Sequence, residues 1–207
     1  GKGLECSILF SDICGFTSMA ERSAPEAVVE LLNEYFSVMA EIIFRRGGTL
    51  DKFIGDAIMA VFGAPFPSID AHRSAVLVAL EMHEALIRLQ WKWLREGRPK
   101  VEHRVGINTG IVIAGNIGSQ RRMDYTVIGD AVNLAARMEA IAPRMETLCS
   151  HYAYDKVRDD VIVLPMPPLQ VKGRELSVTP YRVVAARETS VPGARWITST
   201  PVEIRCD

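Results

Sequence analysis

The chain has 207 residues, of which 48% are apolar and 24% charged, with a formal net charge of −1. Those totals suit one globular domain with enough apolar material for a full core, and they exclude a global basic field for nucleic acid. Four cysteines (Cys6, Cys14, Cys149, Cys206) show neither CxxC nor zinc-ligand spacing, so reduced thiols in a cytoplasmic protein are expected rather than a disulfide framework. No secretory pattern and no apolar run of membrane length is present; the richest stretch, 57–66, is interrupted by Gly63 and Pro65. A strand pattern starts almost at once, at Leu4, which is the expectation for a domain cut from a longer protein that carries sensor or membrane segments elsewhere.

Residues 6–13 (CSILFSDI) form a strand-length apolar run of the kind buried on both faces, and Gly15 ends it. Pro25 suits a first helical turn, with Ser23 as its cap. Val28, Leu31, Leu32, Tyr35, Phe36, Met39, Ile42 and Ile43 then recur at helical spacing until Gly47-Gly48. Residues 49–54 and 57–62 are short runs around Gly55-Asp56, a β-hairpin pattern. Asp70 is placed to cap a second long helix reaching about Arg95, with Ala75, Val78, Ala79, Met82, Leu86 and Leu89 on its apolar face and Gly97 and Pro99 beyond. Residues 101–108 and 111–117 read as two strands with a turn near Thr109-Gly110, followed by a polar arm over 118–124 that carries Arg121 and Arg122. A strand at 125–128, a helix at 131–141 closed by Pro143, a short helix near 152–157 and a last strand at 179–184 complete the pattern.

The order βαββαββαβαββ is not the strict alternation of a doubly wound parallel sheet. It predicts an α+β fold: a ferredoxin-like βαββαβ core with a mainly antiparallel sheet and packed helices, extended by extra C-terminal strands and a helix. The domain is expected over 1–187, with 188–207, rich in Thr, Ser and Pro, as a C-terminal tail of unassigned order.

Three segments carry chemistry. In LFSDICGFT (9–17), Asp12 reads either as a metal-ligating carboxylate or as a helix N-cap. In the first case the turn formed by Cys14, Gly15, Phe16 and Thr17 offers N–H groups to phosphate oxygens. In DKFIGDAIMA (51–60), Lys52 and Asp56 flank a tight turn, and strand geometry does not bring such a pair onto one face. Ile54, Ala57 and Ile58 argue that Asp56 lies close to core, where a carboxylate needs a partner such as a cation. The alternative is a surface hairpin with a solvated lysine. In DYTVIGDAVNLAAR (124–137), Asn133 and Arg137 are i and i+4 on one helix face. They suit a phosphate-rich ligand, or else Arg137 covers the edge of the core with its stem. Two carboxylates on rigid strand ends can hold a pair of divalent cations, the usual device for displacement at phosphorus. The histidines (His72, His83, His103, His151) form no metal-like cluster and read as structural or surface side chains, with His103 expected to be partly buried.

FSDICGFT, DKFIGDAIMAVFG and YTVIGDAVNLAARME, in that order, resemble the class III nucleotidyl cyclases, the catalytic domain of adenylate and guanylate cyclases, over about residues 4–184. The resemblance implies that Asp12, Asp56 and the Ile13 carbonyl hold two Mg2+ or Mn2+ ions. It makes Lys52 the reader of the purine's acceptor edge and Thr126 its partner. Many adenylate cyclases have Asp at the latter position, whereas one bacterial and soluble-type subgroup has Thr. Asn133 then orients the ribose, Arg137 stabilises the transition state, and Lys172, in LQVKG, contacts the terminal phosphates.

The implied reaction is attack of the ribose 3′-hydroxyl of ATP on the α-phosphorus, giving cyclic AMP for signalling and pyrophosphate, with the metals acidifying the hydroxyl and neutralising the triphosphate. A lysine only donates; adenine N1 accepts and guanine N1 carries a proton, so Lys52 favours ATP. Sites in the family lie between two domains packed head to tail, so a chain carrying both residue sets implies a homodimer with two shared sites. Bicarbonate activation, in some members with calcium, and upstream regulatory or sensor domains are further implications. The other readings are a guanylate cyclase, a degenerate domain that binds nucleotide and signals by dimer geometry, and a ligand-free dimerisation domain. Retention of Asp12, Asp56, Lys52, Asn133 and Arg137 speaks against the last two.

Overall fold

The first apolar run becomes a central strand whose two faces serve different cores. In the computed structural model, which describes residues 1–119, 122–170 and 177–187, the elements are β1 (Lys2–Ile13), α1 (Phe16–Ala20), α2 (Pro25–Arg45), β2 (Thr49–Ile54), β3 (Ala57–Phe62), α3 (Ala71–Arg95), β4 (His103–Ser119), β5 (Arg122–Ile128), α4 (Asp130–Ile141), β6 (Thr147–Ser150), α5 (His151–Val157), β7 (Val161–Pro165) and β8 (Pro180–Ala186). Leu9 and Ile13 of β1, with Ile58, Ala60 and Phe62 of β3, pack under α2 and α3. Cys6, Ile8 and Phe10, with Met59 and Val61, pack with Ala131 and Ala135 of α4 on the other face. Successive strand residues point to opposite faces, so a strand covered on both sides has no polar alternation to show.

The sheet runs β2-β3-β1-β4-β6-β8-β7, with β5 also on β4. Every pairing is antiparallel except β4 with β6. The predicted mixed fold and element order are therefore observed, with the short α1 added. Among the described residues no helix is long and apolar enough to cross a membrane. Arg121, Lys172, Cys206 and the tail 188–207 lie outside the described residues.

Three local expectations are corrected. Ser23 does not cap α2: its hydroxyl donates to the Met19 carbonyl at 2.9 Å, and Ala24 takes the N-cap position before Pro25. Asp70 does stand at the N-cap of α3 but makes no side-chain cap bond. The turn near Thr109-Gly110 does not exist; β4 is one strand of 17 residues. It pairs with β1 from Ile13↔His103 to Lys2↔Ala114 and with β5 from Ile113↔Ile128 to Ser119↔Arg122. The polar arm is thus largely paired strand.

The glycines of β4 are explained by helix contact instead of by turning. A Cβ on Gly106 would lie 1.9 Å from the Glu139 nitrogen, and one on Gly110 would lie 2.9 Å from the Ala131 Cβ. Helix α4 therefore rests its backbone on the sheet, a use of glycine inside a strand that permits close approach. Gly106→Ala is expected to destabilise the domain by at least about 2 kcal/mol, because the clash is with helix backbone that cannot rotate aside. Urea unfolding measures this, and an unchanged midpoint would contradict the contact.

The core on the α2–α3 side also encloses a polar run. Ser11 Oγ is 3.2 Å from the Tyr35 hydroxyl, which is 2.8 Å from His103 Nδ1. His103 Nε2 is 2.8 Å from His83 Nδ1, and His83 Nε2 is 2.8 Å from Thr147 Oγ1. Across the contact between the two rings one nitrogen must donate and the other accept, so the two imidazoles cannot both be protonated there. His103, expected to be partly buried, is fully buried, and it pairs with a second histidine that the sequence gives no sign of.

Burial pushes His83 down to about 4 and His103 well below its ordinary range. A histidine depressed in the folded state is neutral there, while the unfolded chain takes up a proton below about 6.5. Stability from His83 is therefore complete above about pH 6.5 and is lost as pH falls toward about 4, by roughly 3 kcal/mol at the lower end. Urea unfolding at several pH values should show this loss in the wild type and a shallower one in His83→Gln. Parallel curves would refute it.

Candidate active site

Asp12 leaves β1 directly opposite Arg104 of β4. It is not a helix cap: Gly15, at φ 71, takes the N-cap position of α1, and the Asp12 carboxylate stays available. Asp56 follows Gly55, at φ 63, in the β2–β3 turn. The turn brings the Asp56 carboxyl close to the Asp12 carboxyl and to the backbone of Ile13. Burial first, and then the charge of Asp12, push the Asp56 carboxyl up to about 6. Two carboxylates this close cannot both be charged without a cation or a shared proton between them.

That chemistry fits a hard divalent cation. Among the described residues no group of three or more His, Cys, Asp or Glu side chains could hold a metal ion. A donor set of two carboxylates with backbone oxygen would leave positions for water and substrate oxygens, as Mg2+ prefers. Burial raises the Cys14 thiol, so no thiolate competes beside the pair.

Arg104 completes this end of the site, and the sequence reading did not single it out. Its Nε donates to Glu139 at 2.6 Å, one terminal nitrogen to the Ala140 carbonyl at 3.0 Å, and the other reaches Asp12 at 3.4 Å. The guanidinium is fixed by α4 and braces the first metal-ligand candidate. Its register position opposite Asp12 is the only signal, and it needs the strand pairing to be read.

The other end of the hairpin builds a separate group. Lys52 Nζ lies 3.3 Å from Asp51 Oδ2, and the Thr126 hydroxyl donates to the same oxygen at 2.8 Å. The Asp51 side chain is 3% exposed and that of Lys52 is 43% exposed. Lys52 is therefore ion-paired, unlike the solvated lysine of the surface-hairpin alternative. β4, the partner of β5, stands three places from β2 in the sheet, so the β4–β5 ribbon must bend over the sheet face to bring Thr126 to Asp51. Asp51 too was missed. Ile54 is 50% exposed, whereas Ile58 is buried, so the core walls Asp56 from one side and not from Ile54.

On α4, Ala131, Leu134, Ala135 and Met138 are buried, while Asn133 and Arg137 are exposed on a shared face. Arg137 does not cover the core edge. A cleft of about 430 Å³ at the start of the helix is lined by Val127, Ile128, Gly129, Asp130, Val132 and Asn133. Gly129, at φ 144, takes a backbone conformation that side chains rarely adopt, and it turns β5 directly into α4.

The candidate residues fall into three groups: an acid pair, a lysine–carboxylate–hydroxyl group and an amide–guanidinium helix face. The chain matches the model of the adenylate and guanylate cyclase catalytic domain over residues 3–184, and it belongs to that family. An adenylate cyclase of Mycobacterium tuberculosis is 37% identical over 193 residues, covering 92% of this chain and 42% of the relative. The solved adenylyl cyclase CyaB from P. aeruginosa is 38% identical, with a TM-score of 0.87 over 90% of this chain and 96% of that one. The guanylyl cyclase Cya2 is also 38% identical, with a TM-score of 0.88 over 92% of this chain and 96% of that one. The chain spans less than half the length of the curated relatives it matches first, 27% in one case and 42% in the next.

Proposed function

We propose that this domain converts ATP to 3′,5′-cyclic AMP and pyrophosphate. The contact between Asp12 and Asp56, made by a strand end and a hairpin turn inside a cyclase fold, carries the reading. Asp12, Asp56 and the Ile13 carbonyl would hold two Mg2+ or Mn2+ ions. Bound there, the cations would lower the pKa of the ribose 3′-hydroxyl and neutralise the triphosphate. Arg104 keeps Asp12 in place and adds a fixed positive charge where a triphosphate arrives. The turn at Gly15, Phe16 and Thr17 offers N–H groups to phosphate oxygens, since first-turn amides have no intrahelical acceptor; Cys14, expected to share in this, does not, because its N–H donates to the Glu102 carbonyl at 2.8 Å. Asn133 orients the ribose, Arg137 meets the negative charge that grows at the α-phosphorus, and Lys172 contacts the terminal phosphates.

Lys52 donates to adenine N1, with Thr126 beside it at the exocyclic amine. The two groups on this chain serve two different sites of a head-to-tail homodimer, each site taking its carboxylates from one protomer and its base reader and Arg137 from the other. The greater length of the relatives supports regulatory segments beyond this domain. Bicarbonate activation rests on the Thr126 resemblance alone. Guanylate cyclase activity is a second reading, favoured by the likeness to Cya2 and opposed by the donor-only Lys52.

The test is product formation from ATP and from GTP with Mg2+ or Mn2+ across a range of protein concentration. Cyclic AMP production with specific activity rising with concentration is expected. A preference for GTP would overturn the substrate, and activity independent of dimerisation would overturn the shared site.

A further inference from the structure

We infer that Asp51 is a positioning residue that fixes Thr126 as a hydrogen-bond acceptor and thereby sets the base preference of the site. The inference rests on ATP as the substrate, and it concerns a residue to which that reading gave no role.

A threonine hydroxyl has one proton and two lone pairs, and it rotates to suit its neighbours. Left alone beside a purine, it accepts from the 6-amino group of adenine or donates to the 6-oxo group of guanine with equal ease. Asp51 removes that freedom. A carboxylate can only accept, so in the 2.8 Å contact the Thr126 hydroxyl must be the donor. Its proton is spent inside the protein, and only its lone pairs face outward. The same Asp51 oxygen lies 3.3 Å from Lys52 Nζ, which holds the ammonium as a fixed donor next to this acceptor.

The outward pattern is then one donor and one acceptor. Adenine offers the complement, an acceptor at N1 and a donor at the 6-amino group. Guanine offers a donor at N1 and an acceptor at O6, so both contacts are mismatched. The contacts of the Asp51 side chain among the described residues both go to base-reading groups. A nearly buried carboxylate is costly to a fold unless such partners hold it.

The probes are ATP, GTP and purine riboside 5′-triphosphate, which is ATP with its 6-amino group replaced by hydrogen. Wild type is expected to prefer ATP to this analogue by about tenfold in kcat/KM, the worth of one directed hydrogen bond. Asp51→Ala should shrink that preference at least fivefold and raise the relative use of GTP. Thr126→Val should shrink it equally, and adding Asp51→Ala to Thr126→Val should change it no further, because Asp51 acts through Thr126. Asp51→Asn keeps a carbonyl acceptor and should keep the preference.

Equal use of ATP and the analogue by wild type overturns the inference without any variant. So do an undiminished preference in Asp51→Ala, additive effects in the double variant, or loss of the preference in Asp51→Asn. If Asp51→Ala does not fold, the wild-type, Thr126→Val and Asp51→Asn results decide. A wild-type preference for GTP is a different outcome, and it removes the substrate assignment itself.

Discussion

Arg137→Ala is expected to lower kcat by about 10²–10³ while leaving the KM for ATP within a few-fold. The side chain is exposed on α4, outside the buried stripe of Ala131, Leu134, Ala135 and Met138, so it does not hold the fold together. A surface truncation of this kind typically changes stability by no more than about 0.5 kcal/mol. The guanidinium should therefore matter only when negative charge builds at the α-phosphorus. Steady-state kinetics with a parallel unfolding curve separates the possibilities. A large rise in KM at unchanged kcat would make Arg137 a ground-state binder, and a lowered unfolding midpoint would make it structural.

Asp56→Ala should abolish measurable turnover, by removing half of the acid pair. Its informative use is in combination. In the proposed dimer each crippled variant breaks a different half of a shared site, so a dimer with one Asp56→Ala and one Arg137→Ala chain would have one intact site and one doubly broken site. Random mixing makes about half of the dimers mixed, so recovery of about a quarter of wild-type activity is expected. Heterodimers are verified by co-purification through two different tags. Mixed dimers that form and stay inactive would place all the catalytic groups within one protomer.

Much of the fold was readable because the chain marks its own boundaries. Gly47-Gly48, Gly55 and Pro143 stand where elements end, and the α2 and α3 faces repeat at helical spacing. Gly110 misled for a physical reason: a glycine in a strand can mark a turn or an approaching backbone, and only the position of Ala131 distinguishes them. The acid pair and the α4 face carry local spacing signals. Asp51 and Arg104 do not. Their partners Thr126 and Asp12 are 75 and 92 residues away, and the ribbon bend and strand register that join them are tertiary facts. His83 and His103 meet for the same kind of reason, one from α3 and one from β4.

The β2–β3 hairpin carries Lys52 near one end of its first strand and Asp56 in its turn, and Phe53 between them stacks on Phe36 of α2 at 4.1 Å. The second strand of the hairpin is held by β1 from Ser7↔Phe62 to Ser11↔Ile58, so the hairpin is a stiff margin of the sheet and not a free arm. A shift at the Phe36–Phe53 contact therefore displaces the lysine and the carboxylate together. With the proposed roles of Lys52 and Asp56, nucleotide choice and metal requirement would not be separately adjustable through this hairpin. Substitutions at Phe53 should shift the ATP-to-GTP ratio and the Mn2+-to-Mg2+ ratio in concert, and in the proposed dimer they would do so at both sites at once.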